Sequence, residues 1–159
     1  MKTNISKLIV LFSVFSFVLF AFKAPTSTNE YCNKNSKKKT KKELKPYNYG
    51  SMKVSSVFTS DEDDMVWEVN VPLFSGEEYR FVFNVEGIKD DVVIEIYDRP
   101  KDEKRRKLLY SSEAFGEEQD VYLFHPEKSQ PLYVNYKVSK TENVKEGCIM
   151  MMMGYKFHN

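Results

Sequence analysis

From residue 50 onward, apolar residues recur at every second position in one short run after another. Successive side chains of an extended strand point to opposite sides, so a run with one apolar phase buries one face. Met65, Trp67, Val69 and Val71 form such a phase, stopped by Pro72, which has no N–H to give to a sheet. Tyr79, Phe81, Phe83 and Val85 form the next, and Val92, Ile94 and Ile96 a third. Leu108 to Ser111 is a short strand, Val121 and Leu123 alternate with Tyr122 and Phe124, and Leu132, Val134, Tyr136 and Val138 make a clean run. Met52, Val54, Ser56 and Phe58 mark a weaker first strand. Cys148 to Phe157 is apolar on both phases up to Gly154, the pattern of a strand covered on both sides.

About eight strands with turn residues between them predict an all-β fold. An antiparallel β-sandwich of the jelly-roll kind lets every strand offer its apolar face to one shared core. A closed barrel is the alternative architecture. Twelve Phe and ten Tyr add to the strand preference. The one place for a helix is Asn33 to Leu44.

The N-terminus carries a different signal. Lys2 and Lys7 precede Leu8 to Phe22, an uncharged apolar stretch of fifteen residues closed by Lys23. A basic start followed by such a stretch is the form of a secretory signal, and it is short for a membrane span, which takes about 20 residues. An uncleaved anchor is the alternative, because Phe22 two places before Ala24, Pro25 after it, and Leu19 two places before Ala21 make a poor cleavage site. The chain is therefore divided into a signal peptide (1–24), a basic arm or linker (25–49) and a β-sandwich domain (50–159). The expected location is periplasmic or secreted.

The net charge of +1 conceals an asymmetry. Lysines 34, 37, 38, 39, 41, 42 and 45 are accompanied by one acid, Glu43, whereas the chain from residue 46 holds 14 basic and 21 acidic residues. Such a lysine run binds polyanions or stays solvated as a linker, and the solvated linker is the expectation here. Cys32 and Cys148 are the two cysteines. In an oxidising compartment they permit one intramolecular disulfide, worth about 4–5 kcal/mol in the chain-entropy picture for so long a loop.

Motifs for catalysis are missing. No Gly-x-Ser-x-Gly turn and no glycine-rich phosphate loop is present, and neither His125 nor His158 stands in a nucleophile or metal pattern. No catalytic residue and no resident cofactor is expected. Asp61, Asp63 and Asp64 offer hard oxygen ligands between two strands and are the candidate calcium site, although they lack the alternating spacing of a helix-loop-helix loop. Asp90 and Asp91 form a smaller acidic pair. Met150 to Met153 alternate faces on a strand, so they read as core rather than as a copper site. Tyr97, Tyr122 and Tyr133 fall out of phase with the clearest apolar rows and are the candidate ligand surface, as an aromatic strip able to stack on sugar rings.

Five segments carry a resemblance: Leu44 to Tyr49, Val71 to Gly87, Val93 to Asp98, Arg106 to Tyr110 and Gly147 to Lys156. Through them the chain after Tyr31 resembles small uncharacterised exported β-sandwich proteins of Bacteroidota bacteria. The resemblance implies a periplasmic or outer-envelope location and brings no catalytic or ligand-binding residue with it. In architecture the chain is also similar to the accessory β-sandwich domains of secreted proteases. The expected function is a non-catalytic envelope protein acting as a protein-interaction or structural module, with a carbohydrate- or calcium-binding module as the alternative. An envelope protein is the expected partner and a glycan the alternative one. Nucleic acid is not expected, and membrane contact is expected only if the N-terminal segment stays uncleaved.

Overall fold

The computed structural model describes residues 32–157, except 87, 89–91, 117–118 and 143–144. The signal segment, the start of the arm, the Asp90–Asp91 pair and His158 lie outside the described residues. Eight strands follow one helix: α1 (Lys34–Glu43), β1 (Asn48–Phe58), β2 (Met65–Val71), β3 (Glu77–Asn84), β4 (Val92–Tyr97), β5 (Leu108–Ser111), β6 (Val121–Phe124), β7 (Leu132–Val138) and β8 (Glu146–Phe157). A short 3-10 helix, Ser112–Phe115, follows β5.

The strands form two four-stranded sheets, ordered β1-β8-β3-β6 and β2-β7-β4-β5. Every pairing is antiparallel. The pairs β1–β8, β2–β7, β3–β6 and β4–β5 amount to one long ribbon folded over on itself. Its tip is the β4–β5 connection, and its two ends meet in β1 and β8. This is the jelly-roll form of the sandwich, as the alternation predicts.

The main core lies between the sheets. Phe81, Phe83 and Ile149 from the first sheet meet Ile94, Ile96, Leu132, Val134 and Tyr136 from the second, all fully buried. At about 1.5–3 kcal/mol for each large apolar side chain, this layer is the main favourable contribution to folding. Trp67 packs against its margin, edge-on to Phe58 with ring centroids 5.4 Å apart.

A second, smaller core covers the outer face of the first sheet. Val82, Met150 and Met152 point away from the sandwich and are buried with Leu44, while Met151 points into the main core. The alternating methionines thus serve two cores, which is why β8 has no polar phase.

The cover over this second core is α1, and here the structure departs from a solvated linker. Cys32, Ser36, Thr40 and Leu44 recur at four-residue spacing, which places them on one side of a helix. Ser36, Thr40 and Leu44 are buried. The Asn33 side chain caps the helix, its Oδ1 accepting the N–H groups of Asn35 at 2.8 Å and Ser36 at 3.2 Å. Thr40 donates to the Ser36 carbonyl at 2.7 Å, so its hydroxyl is satisfied where water is absent. Cys32 is bonded to Cys148 on β8, 116 residues away. The stripe is short and half polar, so it leaves little hydrophobic periodicity among the lysines.

Charge works against this helix. Its first turn holds no acid, although the positive end of the helix dipole favours one. Lys34 and Lys38, Lys37 and Lys41, and Lys38 and Lys42 stand four apart, and each such like-charge pair costs about 0.2–0.5 kcal/mol. The cap, the disulfide and Leu44 offset that cost.

Gly154 is where the segment after α1 descends onto the sheet. A Cβ there would lie 2.9 Å from Tyr47 Cβ, 3.0 Å from the Asn48 carbonyl oxygen and 3.0 Å from Leu44 Cδ2. Two of those three neighbours cannot move without the backbone. The expected outcome for Gly154→Ala is a loss of about 1–3 kcal/mol, read as a lower urea midpoint at unchanged slope. Gly50→Ala is the milder comparison, since a Cβ there would meet nothing closer than 3.2 Å, at Met153 Cε and the Met153 carbonyl oxygen.

Candidate functional site

The outer face of the second sheet is polar and internally bonded. Asn70, Tyr133, Tyr97 and Leu108 lie in one row across β2, β7, β4 and β5, and Glu68, Asn135, Glu95 and Ser111 lie in the next. Tyr97 and Tyr133, both singled out in the sequence, are therefore direct neighbours, and both are half-buried. Tyr122 does not join them. It sits in β6 of the other sheet, is buried in the main core, and its hydroxyl accepts the Gln119 N–H at 3.1 Å. The phase of β6 is the reverse of that expected: Tyr122 and Phe124 point inward, and Leu123 is exposed. In a four-residue strand both phases carry bulky apolar groups, so alternation alone cannot choose between them.

Glu95 and Asn135 face outward and are nonetheless buried. The β4–β5 connection, residues 98–107, folds back over them. Arg106 lies over the Tyr97 ring at 3.7 Å and donates to Asn135 Oδ1 at 3.1 Å. Asn135 Nδ2 donates to Glu68 Oε2 at 2.9 Å, and the Lys101 N–H donates to the same oxygen at 2.9 Å. The Tyr97 hydroxyl donates to Glu95 Oε2 and Lys137 Nζ to Glu95 Oε1, each at 2.7 Å. Burial, with Glu95 beside it, raises the Tyr97 pKa, and the hydrogen bond to Glu95 raises that of Lys137. Both protons are held on their donors. The face is a fixed polar platform with Tyr133 at its side.

A cleft of about 370 Å³ opens where the edge strands β5 and β6 approach, lined by Leu108, Leu109, Phe124, His125, Glu127 and Lys107 among others. His125 Nε2 accepts from Arg80 Nε at 2.7 Å, so the proton of the neutral ring is carried on Nδ1. Arg80 also donates to the carbonyls of Glu43 at 3.2 Å and Lys45 at 2.5 Å and lies over the Tyr47 ring at 4.6 Å. Arg80 therefore ties the segment after α1 to the cleft wall. Burial lowers the His125 pKa, with the Arg80 and Lys156 charges adding to the effect. Asp98, at the cleft's other side, accepts the Lys107 N–H at 2.6 Å.

The acidic loop is not assembled as a cation site. Asp61, Asp63 and Asp64 are exposed, and Asp64 Oδ1 accepts the Lys140 N–H at 2.8 Å. Among the described residues, no three His, Cys, Asp or Glu side chains come together in a group fit to hold a metal.

Two features escaped the sequence. One is the fold-back of residues 98–107, whose signal was limited to the pairing of Arg106 with a nearby tyrosine. The other is the β1 edge. This strand has eleven residues against four to seven for β2, β5 and β6, the other sheet edges. Tyr49, Val54 and Phe58 on β1 and Val66 on β2 are exposed, and the Phe58–Trp67 contact puts the two edges side by side. Lys53 stands opposite Met151 in register. It takes the core-facing phase but remains exposed, a device that discourages indiscriminate strand pairing.

No known family profile matches the chain, and none of the curated proteins is significantly similar to it in sequence.

His125 generates a pH dependence with a definite sign. Its folded pKa lies below the ordinary value of a histidine, so the unfolded chain takes up a proton first as pH falls. Stability is complete above that value and declines as pH drops from there through the folded pKa. Melting temperatures between neutrality and mild acid should fall in the wild type, and this part of the fall should be missing in His125→Gln.

Proposed function

We propose that this chain is a non-catalytic exported envelope protein that works as a protein-binding module, with the β1 edge as its docking strand. The observation that supports the reading is the combination on β1 of unusual length, an edge that is unpaired among the described residues and three exposed apolar side chains. A partner strand added there gains main-chain hydrogen bonds from the edge and specificity from alternate side chains. Lys53 in the middle of the strand favours a partner with an acid at the matching position. The Cys32–Cys148 disulfide is compatible with an oxidising compartment, and among the described residues no helix is long and apolar enough to cross a membrane. The resemblance to exported Bacteroidota proteins adds the periplasm or outer envelope as the location.

A photo-crosslinking residue placed at Val54 in cells tests this. Discrete protein adducts are expected from position 54 and none from Asp102, at the tip of the β4–β5 connection. Equal labelling at both positions, or no adduct at 54, overturns the proposal.

A glycan-binding module is the second reading, favoured by the adjacency of Tyr97 and Tyr133 beside the polar platform. A ligand that binds only the folded state raises its melting temperature. This reading expects such a rise with at least one member of a glycan panel, and its loss in Tyr133→Ala. A rise with Ca²⁺ alone, lost on Asp61→Asn and Asp63→Asn, would move the site to the acidic loop. A flat screen rejects both.

A further inference from the structure

The outer arc of α1 is a ridge of lysines on an otherwise acidic molecule. At 100° per residue, Lys34, Lys38, Lys41 and Lys42 project opposite the buried stripe of Ser36, Thr40 and Leu44, with Lys37 at the margin. All five are exposed. They occupy a helix of ten residues, about 15 Å long. Lys39 alone turns aside, reaching Asp120 at 3.2 Å and Glu86 at 3.9 Å. Glu43 is the one acid in the helix.

This arrangement breaks local rules that a merely structural helix has no reason to break. Its like charges repel and its N-terminus is basic, yet a cap, a disulfide and the Arg80 bonds to Glu43 and Lys45 hold it rigidly on the sheet. Violations of local preference that a fold supports from elsewhere are characteristic of functional surfaces.

We infer that this ridge docks on an anionic lipid headgroup surface. Three observations favour a bilayer over another polyanion. The ridge is convex, the outward side of a helix lying on a sheet, so it meets a plane along its length. The chain from residue 46 carries 14 basic and 21 acidic residues, so a strand long enough to wrap the domain meets repulsion, while a plane touches the lysines alone. The apolar stretch Leu8 to Phe22 ends eleven residues before Lys34. At about 3.5 Å per residue, a bilayer holding that stretch has the helix within roughly 40 Å of its surface. Tyr49, exposed beside Lys41 at 5.3 Å, adds an amphipathic ring of the kind enriched at membrane interfaces.

The test is flotation of the full chain with phosphatidylcholine vesicles, with and without phosphatidylglycerol, at low and high salt. The comparison is the variant Lys34→Gln/Lys38→Gln/Lys41→Gln/Lys42→Gln, in which the apolar N-terminal stretch is unchanged. The wild type is expected to bind phosphatidylglycerol vesicles and to be released by salt. Each lysine near such a surface is worth roughly fivefold in affinity, so the four together should cost on the order of a hundredfold or more. The same four positions changed to Arg should retain binding. Circular dichroism and melting of the Gln variant check the fold, which removal of like-charge pairs should leave intact or improve. Equal binding to neutral and anionic vesicles, or undiminished binding by the Gln variant, overturns the inference. So does tighter binding to a short DNA duplex or to heparin than to the vesicles at matched charge.

Discussion

Burial of β8 on both faces is the constraint on which the rest of the structure depends. The strand pairs with β1 over Glu146–Tyr155 and with β3 over Met150–Phe157, so its middle is bonded on both sides. Ile149 and Met151 face the sandwich, and Met150 and Met152 face α1. A strand with two apolar faces needs two covers. One is the second sheet. The other comes from the lysine-rich stretch, whose Leu44 packs on Val82, Met150 and Met152, and this explains why so hydrophilic a sequence is folded at all. Cys148 and Gly154 complete the attachment, the first by a covalent bond to Cys32 and the second by making room for Leu44 and Tyr47.

The two sheets are finished in opposite ways. The first has its outer face closed by apolar packing beneath a basic helix. The second has its outer face closed by a hydrogen-bonded array in which Glu68, Glu95 and Asn135 are satisfied by Arg106, Lys101, Lys137 and Tyr97. Removing one member from such an array leaves a buried polar group without its partner, which costs more than the lost bond. The platform is thus rigid at low apolar content, and the β1 edge, the end cleft and the lysine ridge are open beside it.

Strand positions were legible because seven of the eight runs have a clean period or a clear stop. Pro72 and the polar stretches between runs mark boundaries that lie within a few residues of those observed. The two-faced apolar character of 148–153 correctly announced a central strand, and the cysteine count announced the bridge. Other features depend on tertiary context. The helix stripe has one strong apolar member, Leu44, and two small polar ones, so the seven lysines dominate any local measure. Tyr122 was misplaced because β6 is too short for its phase to be read. Tyr97 and Tyr133 are neighbours in the sheet, yet nothing in the sequence says that Arg106 folds back onto one of them. The three aspartates of the 60s are adjacent in sequence, which keeps them near one another without making their oxygens converge.

The pairing of first with last strand has a consequence for the order in which the fold can close. β1 has its one sheet neighbour in β8, and Cys32 has its partner in Cys148. While the chain is emerging from its N-terminus, the first strand and the first cysteine both lack the partner they have in the finished fold. Long-range pairings of this kind form late and slowly. The topology therefore works as a delay built into the fold, which cannot close until its last strand is present.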